Sequence, residues 1–318
     1  MTPRCNLSCA YCYNVWLESG RPVPSELDTR EAMEVLRSLA ADPGPEGITF
    51  TGGEPMLRDD LTQLASEARG LGMAAAVATN GTLLDKHSAR RLTEAGVGHF
   101  DIGMSCADSE TCEHLGCGDP RRVRDGIVAA AQSGATVTVS LCLTAESCPA
   151  AGRTVETAAA LGADAVCLNR FVPTGRGADA AEGLSPSPAL LRRALREADR
   201  ASERAAVPLY AGIPLEPCLF DPEDYPHIRF TGCVCGAGKW AVGSDGGLRV
   251  CEQSGNVLGS LLRDTFSRLS AGPAVSEFRG RLPREDCPGC PHLEACAGGC
   301  RFLPAFATGP NHSRITGN

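Results

Sequence analysis

Cys5-Asn6-Leu7-Ser8-Cys9-Ala10-Tyr11-Cys12 puts three thiols on one short loop in a CxxxCxxC spacing. Three thiolates converging on a four-iron cluster leave one iron without a protein ligand. Such an iron can chelate a small molecule, as an open zinc position holds water or substrate. A zinc knuckle lacking its fourth ligand is the other reading of this spacing alone. Two features favour the cluster: Tyr11, directly before the last cysteine, and Gly52-Gly53-Glu54-Pro55 farther along. The chain carries 17 cysteines in 318 residues, and MTPRCNLSC lacks the apolar segment of a secretory signal. Thiols that stay reduced in the cytoplasm point to metal or catalysis, not disulfides, so a cytoplasmic location is expected.

A second set of cysteines occupies the last third. Ten residues separate Cys235 from Gly246, and four more precede Cys251. Then comes Cys287-Pro288-Gly289-Cys290, five residues, Cys296, three residues and Cys300, a CxxCx5CxxxC pattern. A zinc ribbon is the competing explanation for paired CxxC spacings.

The elements that must position these groups alternate. Apolar runs at 48–50, 74–77, 100–102, 136–139 and 165–168 read as strands. Between them, 57–70, 86–95, 122–134 and 153–161 read as helices. A further helix at 28–39 opens on Asp28 with Glu31 three residues later, a capping-box start. Such alternation implies parallel βαβ units with right-handed crossovers, whose chemistry gathers at the C-terminal strand ends. Thr51-Gly52-Gly53-Glu54-Pro55, Thr79-Asn80-Gly81, Ser105 and Pro173-Thr174-Gly175-Arg176-Gly177 all fall there. Five strands are visible, and a sixth is expected before Cys5, where four residues allow only a very short one unless the chain starts upstream. After Ser185-Pro186-Ser187-Pro188 and one more helix at 189–204, the pattern breaks into short glycine-rich segments. The domain division is therefore expected between 206 and 230, giving units 1–205 and 206–318.

Composition excludes several classes. Lys and Arg total 30 against 38 Asp and Glu, a net charge of −8, which argues against nucleic acid as a partner. No run approaches the ~18 apolar residues of a membrane span.

On these motifs the sequence resembles the radical S-adenosylmethionine (SAM) superfamily across most of its length. The resemblance makes Cys5, Cys9 and Cys12 the ligands of a [4Fe-4S] cluster with an open iron. It makes Tyr11 the aromatic of the triad and Gly52, Gly53, Glu54 and Pro55 the loop that binds the SAM ammonium. Ser105 stands where relatives contact the SAM carboxylate or ribose, although Ser105-Cys106-Ala107-Asp108 departs from the usual Ser-x-Asp-Gly. Asn169 would face the nucleoside. The implied fold is a partial (βα)6 barrel followed by a small cysteine-rich α+β domain, and the implied activity is reductive SAM cleavage to a 5′-deoxyadenosyl radical. A one-electron donor such as flavodoxin or ferredoxin is the expected partner.

The C-terminal pattern resembles the SPASM extension, which holds one or two auxiliary iron–sulfur clusters. That resemblance assigns Cys235, Cys251 and Cys300 to the first, with Cys233 or Cys218 as fourth ligand, and Cys287, Cys290 and Cys296 to the second. A non-cysteine ligand such as His312 or Asn311, an open iron or the absence of the second cluster are the options there.

Auxiliary clusters suit oxidations, because a substrate radical must lose an electron. The reading favoured at this point is epimerisation or dehydrogenation of a polar small molecule such as an aminoglycoside. The alternative is maturation of a ribosomally made peptide through a thioether, a carbon–carbon crosslink or a formylglycine-type residue; a leader-recognition domain, frequent in such enzymes, has no room ahead of Cys5. Glu252 is the candidate base and whichever of Cys218 and Cys233 binds no cluster the candidate hydrogen donor. Glu252 also reads as a solvated carboxylate and Lys239 as exposed, with Trp240 packing beside the first auxiliary cluster. Arg176 could grip substrate or SAM, or make a loop salt bridge. Cys142 and Cys167 read as buried strand residues, Cys106, Cys112, Cys117 and Cys148 as loop thiols, and His87, His114, His227 and His292 as structural.

Overall fold

In a computed structural model, the described residues are 1–41, 45–282 and 287–303. Seven parallel strands form one sheet in chain order: β1 Gly47–Phe50, β2 Ala74–Thr79, β3 Val97–Gly103, β4 Thr136–Leu143, β5 Ala165–Arg170, β6 Leu209–Ala211 and β7 Ile228–Arg229. Each strand pairs with its predecessor, the singly wound order of a barrel and not the switched order of an open doubly wound sheet. All five expected strands are present. The extra two, β6 and β7, are too short to stand out as apolar runs. The expected strand before Cys5 is not among the described strands, but residues 2–4 run beside the loop after β1: Gly53 N donates to the Thr2 carbonyl at 2.7 Å and Glu54 N to that of Arg4 at 2.8 Å. The parallel sheet continues to Arg229, past residue 205.

The helices between the strands are α1 Thr29–Ala41, α2 Leu61–Gly70, α3 Lys86–Ala95, α4 Ser109–Leu115, α5 Pro120–Ala131 and α6 Ala151–Ala160, with a longer helix at Pro188–Ala205. The capping box before α1 forms in full: Glu31 N donates to Asp28 Oδ1 at 2.8 Å and Asp28 N to Glu31 Oε2 at 3.0 Å. Helix α4 carries Cys112, so that thiol is not in a loop.

Strand alternation divides the sheet into two faces. Val77, Phe100, Ile102, Val139, Leu141 and Leu168 point to the helices and are essentially inaccessible, each burial stabilising by about 1.5–3 kcal/mol. The opposite, concave face carries His99 and Asp101 from β3, Thr138, Ser140 and Cys142 from β4, Cys167 and Asn169 from β5, and Tyr210 from β6. A three-stranded antiparallel sheet, β8 Ala241–Val242, β9 Gly247–Arg249 and β10 Gly259–Ser260, follows. The end of β5 is tied to the chain after β6 by a buried ion pair between Arg170 and Glu216. Among the described residues, no helix is long and apolar enough to cross a membrane.

Candidate functional site

The CxxxCxxC loop is shaped from several sides. Ala10 N donates to the Leu115 carbonyl at the end of α4 (2.9 Å), and Asn14 Nδ2 to the Gly52 carbonyl after β1 (3.0 Å). From beyond β5, Gly177 N donates to the Cys12 carbonyl at 3.2 Å and Arg176 Nη1 to that of Cys9 at 3.1 Å. Arg176 therefore braces the cluster loop, a role neither of its expected readings named. Gly175 takes φ +60°, and a Cβ there would sit 2.5 Å from the Asn14 carbonyl oxygen, so only glycine lets the two loops approach. Burial pushes the Cys9 thiol up to about 12 and raises Cys5 and Cys12 too. Thiols so disposed keep their protons until a metal displaces them.

Gly52-Gly53-Glu54 is dictated by the same crowding. A Cβ on Gly53 would lie 2.0 Å from the Arg4 carbonyl oxygen. Glu54 is fully buried, and its carboxylate accepts from Thr79 Oγ1 at 2.6 Å, Asn80 N at 2.8 Å and Met56 N at 3.1 Å. Burial raises its pKa, partly offset by those donors. The carboxylate thus fixes the loop from within. Pro55, also buried, starts the short turn Pro55–Leu57 that Glu54 caps. Tyr11 is held by Ser105, whose Oγ donates to its hydroxyl at 2.8 Å. Asn169 packs on Gly212, where a Cβ would come within 2.4 Å of its Oδ1.

The concave face below is polar, and two of its groups lack partners: Asp101 Oδ1 and Ser140 Oγ are buried without a hydrogen bond. Burial raises the Asp101 pKa. Burial likewise raises Cys167 to about 11, and the Lys239 ammonium offsets a small part of the rise at both groups. Its Nζ lies 2.7 Å from Glu252 Oε1, so Lys239 is ion-paired and Glu252 is part-buried, not a solvated carboxylate. Burial pushes Glu252 up, but Lys239 outweighs it and the net shift is downward.

The C-terminal cysteines fall into two groups. Donor atoms of Cys235, Cys251 and Glu252 lie within 4.8 Å of one another. Cys233 neighbours Cys235, whose thiol chiefly raises its pKa, and Cys300 feels Cys233. The Cys233 thiol pulls Cys235 down, yet Cys251 and burial leave it at about 12. Trp240 packs on the buried group of Val250, Cys251 and Val275, on which Cys235 also packs, and stacks edge-on to Phe266 at 5.4 Å. Separately, Cys218, Cys287, Cys290 and Cys296 line one cavity of about 20 Å³ with Glu216 and His292. Cys218 therefore joins the CxxC pair and not Cys235, and His292 stands at a thiol cluster although its spacing gave no sign of it. Asn311 and His312 lie outside the described residues.

The family model for the radical SAM superfamily matches residues 1–145. PqqA peptide cyclase from Gluconobacter oxydans is 32% identical over 324 residues, spanning 97% of this chain and 86% of the relative. The chain belongs to the radical SAM superfamily. An AdoMet-dependent heme synthase from Methanosarcina barkeri is 28% identical over 97% of this chain and 91% of its own length. Among solved structures, Streptococcus suis SuiB bound to precursor peptide SuiA superposes with a TM-score of 0.76 at 18% identity, covering 98% of this chain and 74% of SuiB. That likeness concerns the fold, including the SPASM-type C-terminal region.

A radical SAM enzyme uses a [4Fe-4S] cluster and SAM, and the residues fit. The loop presents Cys5 exposed and Cys9 and Cys12 half-buried. The two C-terminal groups are equally suited to auxiliary clusters. The partly legible signal that sequence reasoning passed over was the alternation His99-x-Asp101, Thr138-x-Ser140-x-Cys142 and Cys167-x-Asn169, polar positions facing inward every second residue.

Proposed function

We propose that this radical SAM enzyme oxidatively crosslinks a peptide substrate. The observation that carries the reading is the likeness to PqqA peptide cyclase at 32% identity over nearly the whole chain. Two groups of four cysteines, Cys233/Cys235/Cys251/Cys300 and Cys218/Cys287/Cys290/Cys296, support it, because two auxiliary clusters suit net oxidation. We also place the division of the chain after Arg229, where the parallel sheet ends.

A [4Fe-4S] cluster and SAM, when bound, would supply the hydrogen-abstracting radical. Cys5, Cys9 and Cys12 would hold the cluster, and Glu54 keeps the loop after β1 in a shape that would offer backbone groups to the SAM ammonium. Ser105 sets the Tyr11 ring, and Asn169 borders the nucleoside side of the concave face. Asp101 and Ser140, which face each other on the concave face, are the polar groups positioned to receive a polar substrate atom. Glu252, kept ionised by Lys239, receives the proton that leaves as the substrate radical is oxidised. With Cys218 and Cys233 assigned to clusters, neither thiol is left to return hydrogen, which weighs against epimerisation. A small one-electron protein such as flavodoxin or ferredoxin serves as donor.

The test is to incubate the anaerobically reconstituted enzyme with SAM, a reductant and two panels, peptides and aminocyclitols. A peptide product lighter by about 2 Da supports the reading, since a crosslink removes two hydrogens. Turnover of an aminocyclitol with solvent deuterium at an inverted carbon, and no peptide product, overturns it.

A further inference from the structure

Three further cysteines sit together beneath the catalytic loop, away from both C-terminal groups. Cys106, Cys112 and Cys117 are 0%, 4% and 8% exposed, and their sulfurs all lie within 4.8 Å of one another. We propose that these three thiols hold a single zinc-class ion, a fourth metal site of this enzyme.

The geometry separates the choices. A tetrahedral ion with bonds of about 2.3 Å spaces its sulfurs by about 3.8 Å, which the 4.8 Å span accommodates. Cys106 and Cys112, 2.7 Å apart, part by about 1 Å to reach it. An iron–sulfur cluster interposes iron and sulfide between its thiolates and needs a wider frame. A disulfide, with its bond of about 2.05 Å, consumes two thiols and leaves the convergence of the third without purpose.

The surroundings suit a site with three thiolates and one more position. Three thiolates and a divalent ion carry one net negative charge. The Arg124 guanidinium stands near Cys112; its Nη2 donates to the Ala107 carbonyl at 2.7 Å, while its Nε is buried without a partner. A cavity of about 420 Å³ has Cys112, Ser8, Ser109 and Glu113 in its wall. It provides an entry path for the ion and room for water as the fourth ligand.

The location gives the ion a task. Leu115 and Gly116, between two of the thiols, form the platform under the catalytic loop: the Leu115 carbonyl takes Ala10 N, and a Cβ on Gly116 would meet the Ser8 carbonyl oxygen at 3.0 Å. Linking Cys106 to both ends of this segment locks the platform.

The holoenzyme, purified from zinc-containing medium and dialysed against EDTA, is expected to retain about one zinc per chain, with about three sulfurs at ~2.3 Å by zinc X-ray absorption. Cys112→Ala and Cys106→Ala are each expected to lower zinc about tenfold while iron per chain stays constant. Retained iron shows that a variant has folded, and Cys117→Ala replaces either one that does not. Zinc absent from the parent, or equal in parent and variants, overturns the proposal. So does a Cys106–Cys112 disulfide found in the active enzyme by non-reducing peptide mapping.

Discussion

Ser105 Oγ donates to the Tyr11 hydroxyl at 2.8 Å, joining the end of β3 to the aromatic position of the CxxxCxxC loop. The serine hydroxyl is spent on the tyrosine, whose own hydroxyl also hydrogen-bonds toward Cys9 and Cys117. Ser105→Ala is expected to leave the buried tyrosine oxygen without that donor and cost about 1–3 kcal/mol. Tyr11→Phe should cost a similar amount, and the double variant no more than either alone. Thermal unfolding of the four proteins measures the cycle. KM for SAM should move less than about twofold, because the serine acts on the ring; a large rise in KM with unchanged stability would instead put Ser105 on SAM.

Gly53→Ala tests the seat of the loop after β1. The added carbon meets Arg4 backbone at 2.0 Å, and backbone cannot swing away as a side chain can. Overpacking of this kind costs about 1–3 kcal/mol or more. The chain segment before Cys5 is displaced, so iron per chain after reconstitution should fall by about four. A variant with full iron and unchanged SAM binding contradicts the close approach.

Cys218→Ala separates the two auxiliary groups. Grouped with Cys287, Cys290 and Cys296, it should leave the first auxiliary cluster intact and lower iron from about twelve to about eight per chain. Electron paramagnetic resonance of the reduced protein would lose one of two auxiliary signals. Loss of the signal that Cys235→Ala also removes would return Cys218 to the first group.

His227 supplies the pH dependence. Its Nδ1 lies 3.0 Å from Asp199 Oδ2, and the hydrogen bond it donates to that carboxylate raises the imidazole pKa above its ordinary value. A raised histidine stabilises the fold fully below the unfolded pKa, and that contribution fades as pH rises through the folded value. Melting temperature should therefore decline between about pH 6 and 8, and His227→Gln should flatten the slope. A slope unchanged in the variant rejects the assignment.

The strands and the loop cysteines were legible because both are local. Five apolar runs separated by helices fix a parallel sheet, and Cys5, Cys9 and Cys12 lie within eight residues. What escaped was held by the fold. Nothing in the spacing links Cys218 to Cys287; they meet because the chain after β6 turns back, anchored by Glu216 on Arg170. Cys106, Cys112 and Cys117 read as unrelated loop thiols because their spacing matches no ligand pattern, and only the short helix α4 stacks them together. Lys239 is exposed as its sequence context suggested, but nothing in that context shows that its ammonium pairs with Glu252, thirteen residues on across β8 and β9.

The catalytic loop owes its shape to donors and acceptors that emerge from the ribosome long after it. Its contacts with Gly52, Leu115, Arg176 and Gly177 span the barrel from β1 to beyond β5. A nascent chain released only as far as β3 holds three cysteines with no frame to converge them. The full set of contacts exists only once the chain through Gly177, more than half of its 318 residues, is in place. The shape of the loop is thus a property of strands β1 to β5 together and not of the cysteine segment alone.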